Sequence, residues 1–466
     1  MIRNKTAILV LLTGLNLLNY IDRFVVSAVL KKIQGPGSEG GLELSNLEGG
    51  LLATAFLLGY FVTSPWFGAR ADRGARKGLI ALGVGVWSLA TVASGLATGV
   101  GSMLVARVFV GVGEAAYATL APTIIDDITP PEKKGKALAV FYVAAPVGSA
   151  LGYLIGGFIE ARWGWRTAFF VAGPPGMMLA LACLLIKEPE RKLREAKGGA
   201  RQALRTLAKI PLFRRAVLGY CAYTGAVGAF AYWAPKYLAE KFGDVSNGLA
   251  KLANLGPAAN ALISNLWHPD QLVASLANSG AKVPVLHGIL DGVLTNETAD
   301  YYFGVVTVVA GATGTIVGGR LADRANLRFP TTPDTAYDAS ENRRGLNALL
   351  RVCAIGMCIA APMTAVAFAL PTPVGFFAAA FFAEIGLFLS TSPVNAIGLR
   401  AVPPELRASA MAAMIFAIHL LGDLWSPSVL GLLTDLLPAT IAMMAVPLTF
   451  ALSASVWWPR VREANA

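Results

Sequence analysis

The sequence predicts an all-α integral membrane protein whose twelve transmembrane helices form two pseudo-symmetric bundles of six. Three observations carry that reading. The composition is too apolar for a surface facing water. A dozen apolar runs are long enough to cross a bilayer. Three motifs recur, in the same order, in the two halves of the chain.

Of 466 residues, 55% are hydrophobic and 14% are charged, and the mean hydropathy is +0.58. A soluble domain carries roughly 25% charged residues, so this chain lacks the polar surface that water requires. The net charge of +11 raises nucleic-acid binding as an alternative. A nucleic-acid binder gathers its basic residues on one module; here they fall in short breaks between apolar runs, so no nucleic-acid partner is expected. Cys183, Cys221, Cys353 and Cys358 all lie within apolar runs and form no CxxC pair. Neither a disulfide nor a metal site is expected from them. The opening "MIRNKTAILVLLTGL" has the flavour of a signal peptide. Its apolar run continues past the usual length without a small-residue cleavage site, so it reads as an uncleaved first span.

A spanning helix needs about 20 apolar residues. The spans read as 6–30, 47–69, 78–98, 101–127, 135–160, 166–187, 213–240, 301–322, 346–370, 374–400, 406–434 and 438–459. With the N-terminus in the cytoplasm, most Lys and Arg fall on the inner side. They comprise Arg3 and Lys5, the segments 70–77, 133–136, 187–215 and 320–344, then Arg400, Arg407, Arg460 and Arg462. The outer side keeps Lys31, Lys32, Arg162, Arg166, Lys236, Lys241, Lys251 and Lys282. This is the positive-inside pattern, and one miscounted helix would scramble it. It places both termini in the cytoplasm, in a plasma (inner) membrane.

Residues 1–187 form the first bundle and 213–466 the second, with 188–212 as a cytoplasmic linker. In the linker, Leu204, Leu207 and Ile210 recur at helical spacing among basic residues, which predicts an amphipathic helix at the headgroups. Residues 243–299 are an outer-face insertion, read as short amphipathic helices broken at Pro257, Pro269 and Pro284.

The repeats fix the symmetry. "GARADRGARK" (Gly68–Lys77) follows the second span and "GRLADR" (Gly319–Arg324) the eighth; both have the form G-x-x-x-D-R. "PPEKKGKALA" (Pro130–Ala139) aligns with "PPELRASAMA" (Pro403–Ala412). "GEAAYATLAP" (Gly113–Pro122) aligns with "AEIGLFLSTSP" (Ala383–Pro393), setting Glu114 against Glu384.

With these motifs the chain resembles the major facilitator superfamily. "GARADRGARK" is similar to that family's loop motif between spans two and three, and "RVFVGVGE" (Arg107–Glu114) to its motif on span four. "NYIDR" on span one together with "GVGEA" on span four resembles the spinster group more narrowly. The resemblance implies a secondary transporter working by alternating access, in a group whose members export or flip sphingolipids and lysolipids. It also implies a state-stabilising role for the loop motif, and a hinge or sealing role for the small residues "PVGSALGYLIGG" (Pro146–Gly157) on span five.

Charges inside the spans are the candidate site. Asn16, Asn19, Asp22 and Arg23 recur at three and four on span one and form one polar stripe. Charged groups within a membrane face a bundle interior or a watery cavity. At about 1.5 Å per residue, Asp22 and Arg107 lie roughly 12 and 10 Å from the outer ends of their spans, with Glu114 two turns deeper. Cross-pairing of Asp22 with Arg107 and of Arg23 with Glu114 is therefore expected. Protonating Asp22 or Glu114 would free an arginine for a lipid phosphate or another anion. Carboxylate and substrate then compete for one guanidinium, which couples protons to substrate.

In the second half, Glu384 stands mid-span, and His419 and Asp423 are spaced i, i+4; together they form a possible relay. Asn19, Tyr117 and Tyr223 are the expected cavity residues. Gly68, Asp72, Arg73 and Arg76, with Asp323 and Arg324 as a second copy, are expected to latch the inner gate. Asp72 would meet a helix N-terminus, and Arg73 and Arg76 would meet acids of the other half. No nucleotide-binding loop or catalytic constellation occurs on the spans. An intramembrane enzyme is thus disfavoured, and no cofactor or metal is expected. The expected partners are an amphipathic lipid, protons and membrane lipids, and a monomer suffices. The rival reading is a proton-coupled carrier of small organic anions or hydrophobic drugs.

Overall fold

A computed structural model of the protein describes residues 4–71, 76–129, 134–187, 200–242, 296–328, 340–403 and 406–459. The first half holds α1 (Lys5–Ile33), α2 (Asn46–Ala71), α3 (Arg76–Gly95), α4 (Val100–Ile128), α5 (Lys134–Trp163) and α6 (Trp165–Leu184). A short α7 (Ala200–Leu207) precedes the second half. That half comprises α8 (Pro211–Phe242), α9 (Asn296–Arg328), α10 (Ser340–Ala369), α11 (Pro373–Leu389), α12 (Thr391–Arg400), α13 (Arg407–Ile418), α14 (Ser426–Leu436), α15 (Ala439–Met443) and α16 (Ala445–Trp457). Most of the insertion 243–299, and linker residues 188–199, lie outside the described residues.

Local chemistry sets the ends of α1. The Asn4 side chain accepts hydrogen bonds from the backbone N–H groups of Thr6 and Ala7, two donors that a helix start leaves unsatisfied. Lys31 and Lys32 close the last turn, where cations complement the helix dipole. Among the described residues, eleven spans, some made of two consecutive helices, are long and apolar enough to cross a membrane. The other is α8, whose 32 residues carry Arg214, Arg215, Lys236, Glu240 and Lys241 near the ends.

Two spans predicted as continuous helices are interrupted. The tenth breaks at Ser390 into α11 and α12. The eleventh contains a π-helical turn, His419–Asp423, between α13 and α14. Such turns insert an extra residue into the helical ladder and often occur at functional positions.

The packing repeats as the motifs do. In the first half α2 and α3 each pack on α4, and α3 packs on α6; in the second, α9 and α10 each pack on α11, and α10 packs on α16. The α1–α5 contact has its counterpart where α8 meets α13, the π turn and α14. Small residues on α5 permit the α1 contact. A Cβ on Gly148 would fall 2.7 Å from the Leu17 carbonyl oxygen, and one on Gly152 2.7 Å from that of Ile21. Only glycine allows these backbones so close.

The halves meet along α5–α9, α2–α14 and α1–α8. Among the described residues, the hydrogen bonds between them lie between mid-membrane and the far face, opposite the face where the chain begins. Thr54 Oγ1 donates to the Leu424 carbonyl and lies 2.7 Å from Ser428 Oγ. The Tyr232 hydroxyl donates to the Gly49 carbonyl. Lys236 Nζ reaches Gln34 Oε1 and Asn46 Oδ1 at 2.7 and 2.6 Å. The Asp435 carboxylate accepts from the backbone N–H groups of Asn46 and Leu47, at 3.1 and 2.8 Å, and so caps the start of α2. Towards the near face, Val62 and Trp66 on α2 and Phe416 on α13 are exposed. The molecule is thus closed at the far face; towards the other face the Phe61 ring of α2 lies 4.6 Å from that of Phe416 on α13.

Loss of the Asp435 cap is expected to loosen that closure. Asp435→Ala removes a helix cap worth about 1 kcal/mol, a shift of roughly fivefold. The readout is labelling of a cysteine placed at Ser428 by a water-soluble maleimide, which should accelerate by about that factor.

Candidate functional site

The charged cluster is assembled by α1, α3 and α4 around Phe56 of α2. On α1, Asn16, Asn19 and Asp22 are buried, as the polar stripe requires. Asn16 Nδ2 donates to the Phe141 carbonyl at 2.9 Å, tying the stripe to α5. Arg23 Nη2 meets Glu114 Oε2 at 2.8 Å, with the glutamate side chain fully buried and that of Arg23 26% exposed. This is the predicted pair.

The other predicted pair does not form a direct bridge. Asp22 Oδ2 instead accepts from Trp87 Nε1 and Thr91 Oγ1 on α3, both at 2.8 Å. Two neutral donors satisfy one carboxylate oxygen and hold Asp22 against α3. Arg107, 1% exposed, rests on the Phe56 face with its guanidinium carbon 5.2 Å from the ring centroid. Arg23 lies 4.8 Å from the same centroid. One aromatic ring therefore carries two cations, an attraction between ring quadrupole and charge. Phe56 carries no charge, so charge-based reading of the spans passed over it; Trp87 and Thr91 were missed for the same reason.

The cluster is under-satisfied. Asp22 Oδ1, Glu114 Oε1, Asn19 Nδ2, Arg23 Nε, and Arg107 Nε and Nη1 are all buried without a hydrogen-bond partner. Buried polar groups are ordinarily paired, and each exception calls for an explanation. Here the unpaired atoms share one neighbourhood and include donors and acceptors. A ligand bearing an anionic group can bind the guanidinium donors bidentately.

Tyr117, expected on the cavity wall, is a strut. It is fully buried, and its hydroxyl donates to the Leu12 carbonyl at 2.6 Å. In the second half, His419 Nδ1 lies 3.0 Å from both Asp423 carboxylate oxygens across the π turn. The His419 ring stands 6.3 Å from that of Tyr60 on α2. Glu384 Oε1 accepts from Thr307 Oγ1 at 3.0 Å, and its Oε2 is buried without a hydrogen-bond partner. Tyr223 is buried, with its hydroxyl 3.4 Å from Thr391 Oγ1 and its ring 5.5 Å from Tyr220.

The loop residues divide. Gly68 lies in the last turns of α2. Asp72 and Arg73, and the side chain of Asp323, fall outside the described residues, and Arg324 is exposed on α9. Arg76 corrects the expectation of a partner in the other half. It is buried and pairs with Asp127 on α4 at 2.7 Å, donating also to Thr123. Asp127 lies one turn from Thr123, so both meet α3 at its start.

Residues 12–270 match the model of the Major Facilitator Superfamily. The chain is 31% identical over 446 residues to "Protein spinster homolog 1" of Mus musculus, covering 93% of this chain and 73% of the relative. It is 27% identical over 467 residues to "Probable sphingolipid transporter spinster homolog 1" of Arabidopsis thaliana, covering 90% and 81%. It is 29% identical over 441 residues to "Protein spinster" of Drosophila melanogaster, covering 93% of this chain but 62% of that longer protein. The fold is similar to the solved structure of a bacterial homologue of the human lysosomal transporter spinster, inward-facing and unoccupied. That match has a TM-score of 0.73 and 20% identity, and covers 100% of this chain and 98% of the other.

Proposed function

The chain belongs to the major facilitator superfamily and, within it, to the spinster family, and on that premise we propose that it carries an amphipathic lipid by proton-coupled alternating access. The observation that carries the reading is Arg107, a buried guanidinium with two unpartnered nitrogens beside the Arg23–Glu114 pair. An uncompensated buried charge is costly, and an anionic head group would compensate it. The orientation follows the positive-inside pattern, with the near face cytoplasmic. The sphingolipid named for the Arabidopsis relative supports a lipid or lysolipid cargo.

The chemistry runs through competition. A lipid phosphate entering from the near face takes Arg107 and then Arg23, displacing Glu114. The displaced carboxylate lies in a desolvated site, where a proton neutralises it. Substrate and proton therefore load together, and release of one favours release of the other. His419–Asp423, one face of the opposite wall, and Glu384 are a second station for the proton. The aliphatic tail lies between the halves, towards Tyr60 and the near face.

Thermal stabilisation of the purified protein separates lipid from small-anion cargo. An anionic lysolipid near its dissociation constant and above should raise the melting temperature, by about 1 °C per kcal/mol of linkage for a chain of this length. A short-chain organic acid at equal concentration should not. Stabilisation by the acid alone would favour the organic-anion carrier instead.

A further inference from the structure

A second anion site lies at the near-face end of the other bundle. Between α9 and α10 is a cavity of about 470 Å³ lined by Arg324 and Arg328 on α9 and Arg344 and Arg351 on α10. Helical spacing creates it. Arg324 and Arg328 are one turn apart, and Arg344 and Arg351 two turns apart, so each pair lies on one face. Ala325 and Ala348, also in the lining, are too small to fill the space between the helices. Among the described residues, no carboxylate lies within ion-pair distance of Arg324, Arg344 or Arg351.

The guanidinium groups of Arg324, Arg344 and Arg351 around one cavity repel each other, and an anion relieves that repulsion. Arginine's planar fork of donors suits phosphate in particular. The cavity also has an apolar extension. Val317 lies two turns from Arg324 towards the membrane interior, and Ile355 and Ile359 lie one and two turns beyond Arg351; all three are exposed. The surface thus presents a cationic pocket at the headgroup level and an open apolar stripe beside it.

We propose that this pocket holds the phosphate headgroup of an anionic phospholipid of the surrounding leaflet, with its chains along the Val317–Ile355–Ile359 stripe. The site is on α9 and α10, apart from the α1–α3–α4 cluster, so it does not depend on the cargo assigned to that cluster. In the orientation proposed above the leaflet is the cytoplasmic one, where basic pockets between helices meet anionic lipid. The bound lipid would bridge the near-face ends of α9 and α10.

Native mass spectrometry of the full chain in detergent tests this with three probes: phosphatidylglycerol, phosphatidylcholine and inorganic phosphate. The wild type should retain phosphatidylglycerol in preference to phosphatidylcholine. Arg344→Gln with Arg351→Gln should lower that preference by about fivefold for each arginine removed. Arg344→Lys with Arg351→Lys, which keeps the charge, should retain most of it and shows that folding is not at issue. Equal retention of the two lipids by the wild type, or an unchanged preference in the Gln variant, overturns the proposal. Retention of inorganic phosphate in place of lipid makes the pocket a free-anion site and overturns it as well.

Discussion

Glu114→Gln is expected to leave a folded protein whose transport in proteoliposomes no longer responds to a pH gradient. The wild type should transport at least about tenfold faster with an imposed gradient than the variant does, as the proposed role of Glu114 in taking the proton requires. The side chain is isosteric and keeps an acceptor for Arg23 Nη2, 2.8 Å away in the wild type. What it loses is the charge and the proton site. Deleting one partner of a buried pair costs about 3–5 kcal/mol. Gln preserves the hydrogen bond, and the partly exposed Arg23 is screened by water, so about 1–3 kcal/mol is expected here. A melting curve checks that smaller loss. Undiminished gradient response would show that Glu114 is a structural tie.

Locking the far face is expected to stop transport altogether. Thr54 Oγ1 and Ser428 Oγ face each other across the two halves at 2.7 Å. Cysteines at both positions, Thr54→Cys with Ser428→Cys, place two sulfurs where a bond of about 2.05 Å can form. Cys358, exposed in the wild type, is replaced by serine to avoid side reactions. Oxidation should abolish transport and reduction should restore it, because α2 and α14 can no longer separate. The double-cysteine protein kept reduced serves as its own control. Unchanged transport by fully cross-linked protein would mean that opening of the far face is not needed, against alternating access.

Much of this was legible in the sequence because a bilayer makes charge expensive. A carboxylate or guanidinium in an apolar run must have a partner, so opposite charges carried by spans one and four were enough to pair Arg23 with Glu114. The repeated motifs mark the two bundles because each recurs at the same place relative to its spans. What stayed hidden is chemistry that a membrane helix carries without penalty. Trp87 and Thr91 are ordinary residues of an apolar span, yet they take Asp22 from Arg107. Tyr117 shares a face with Glu114, but its hydroxyl reaches a backbone carbonyl one helix away, which residue spacing cannot reveal. Asp435 takes its role from the start of α2, which is distant in sequence, so no local pattern marks it. The π turn is a register change in the backbone, and the side-chain pattern passes through it without a mark.

Proton counting goes to the centre of the mechanism. Purified protein in weakly buffered detergent solution near neutral pH is titrated with an anionic lysolipid while the pH is followed. If an incoming phosphate displaces a carboxylate from its arginine, the wild type takes up about one proton for each ligand bound, and Asp22→Asn with Glu114→Gln takes up none. Ligand binding to the wild type without proton uptake, or uptake that persists in the double variant, would contradict the account.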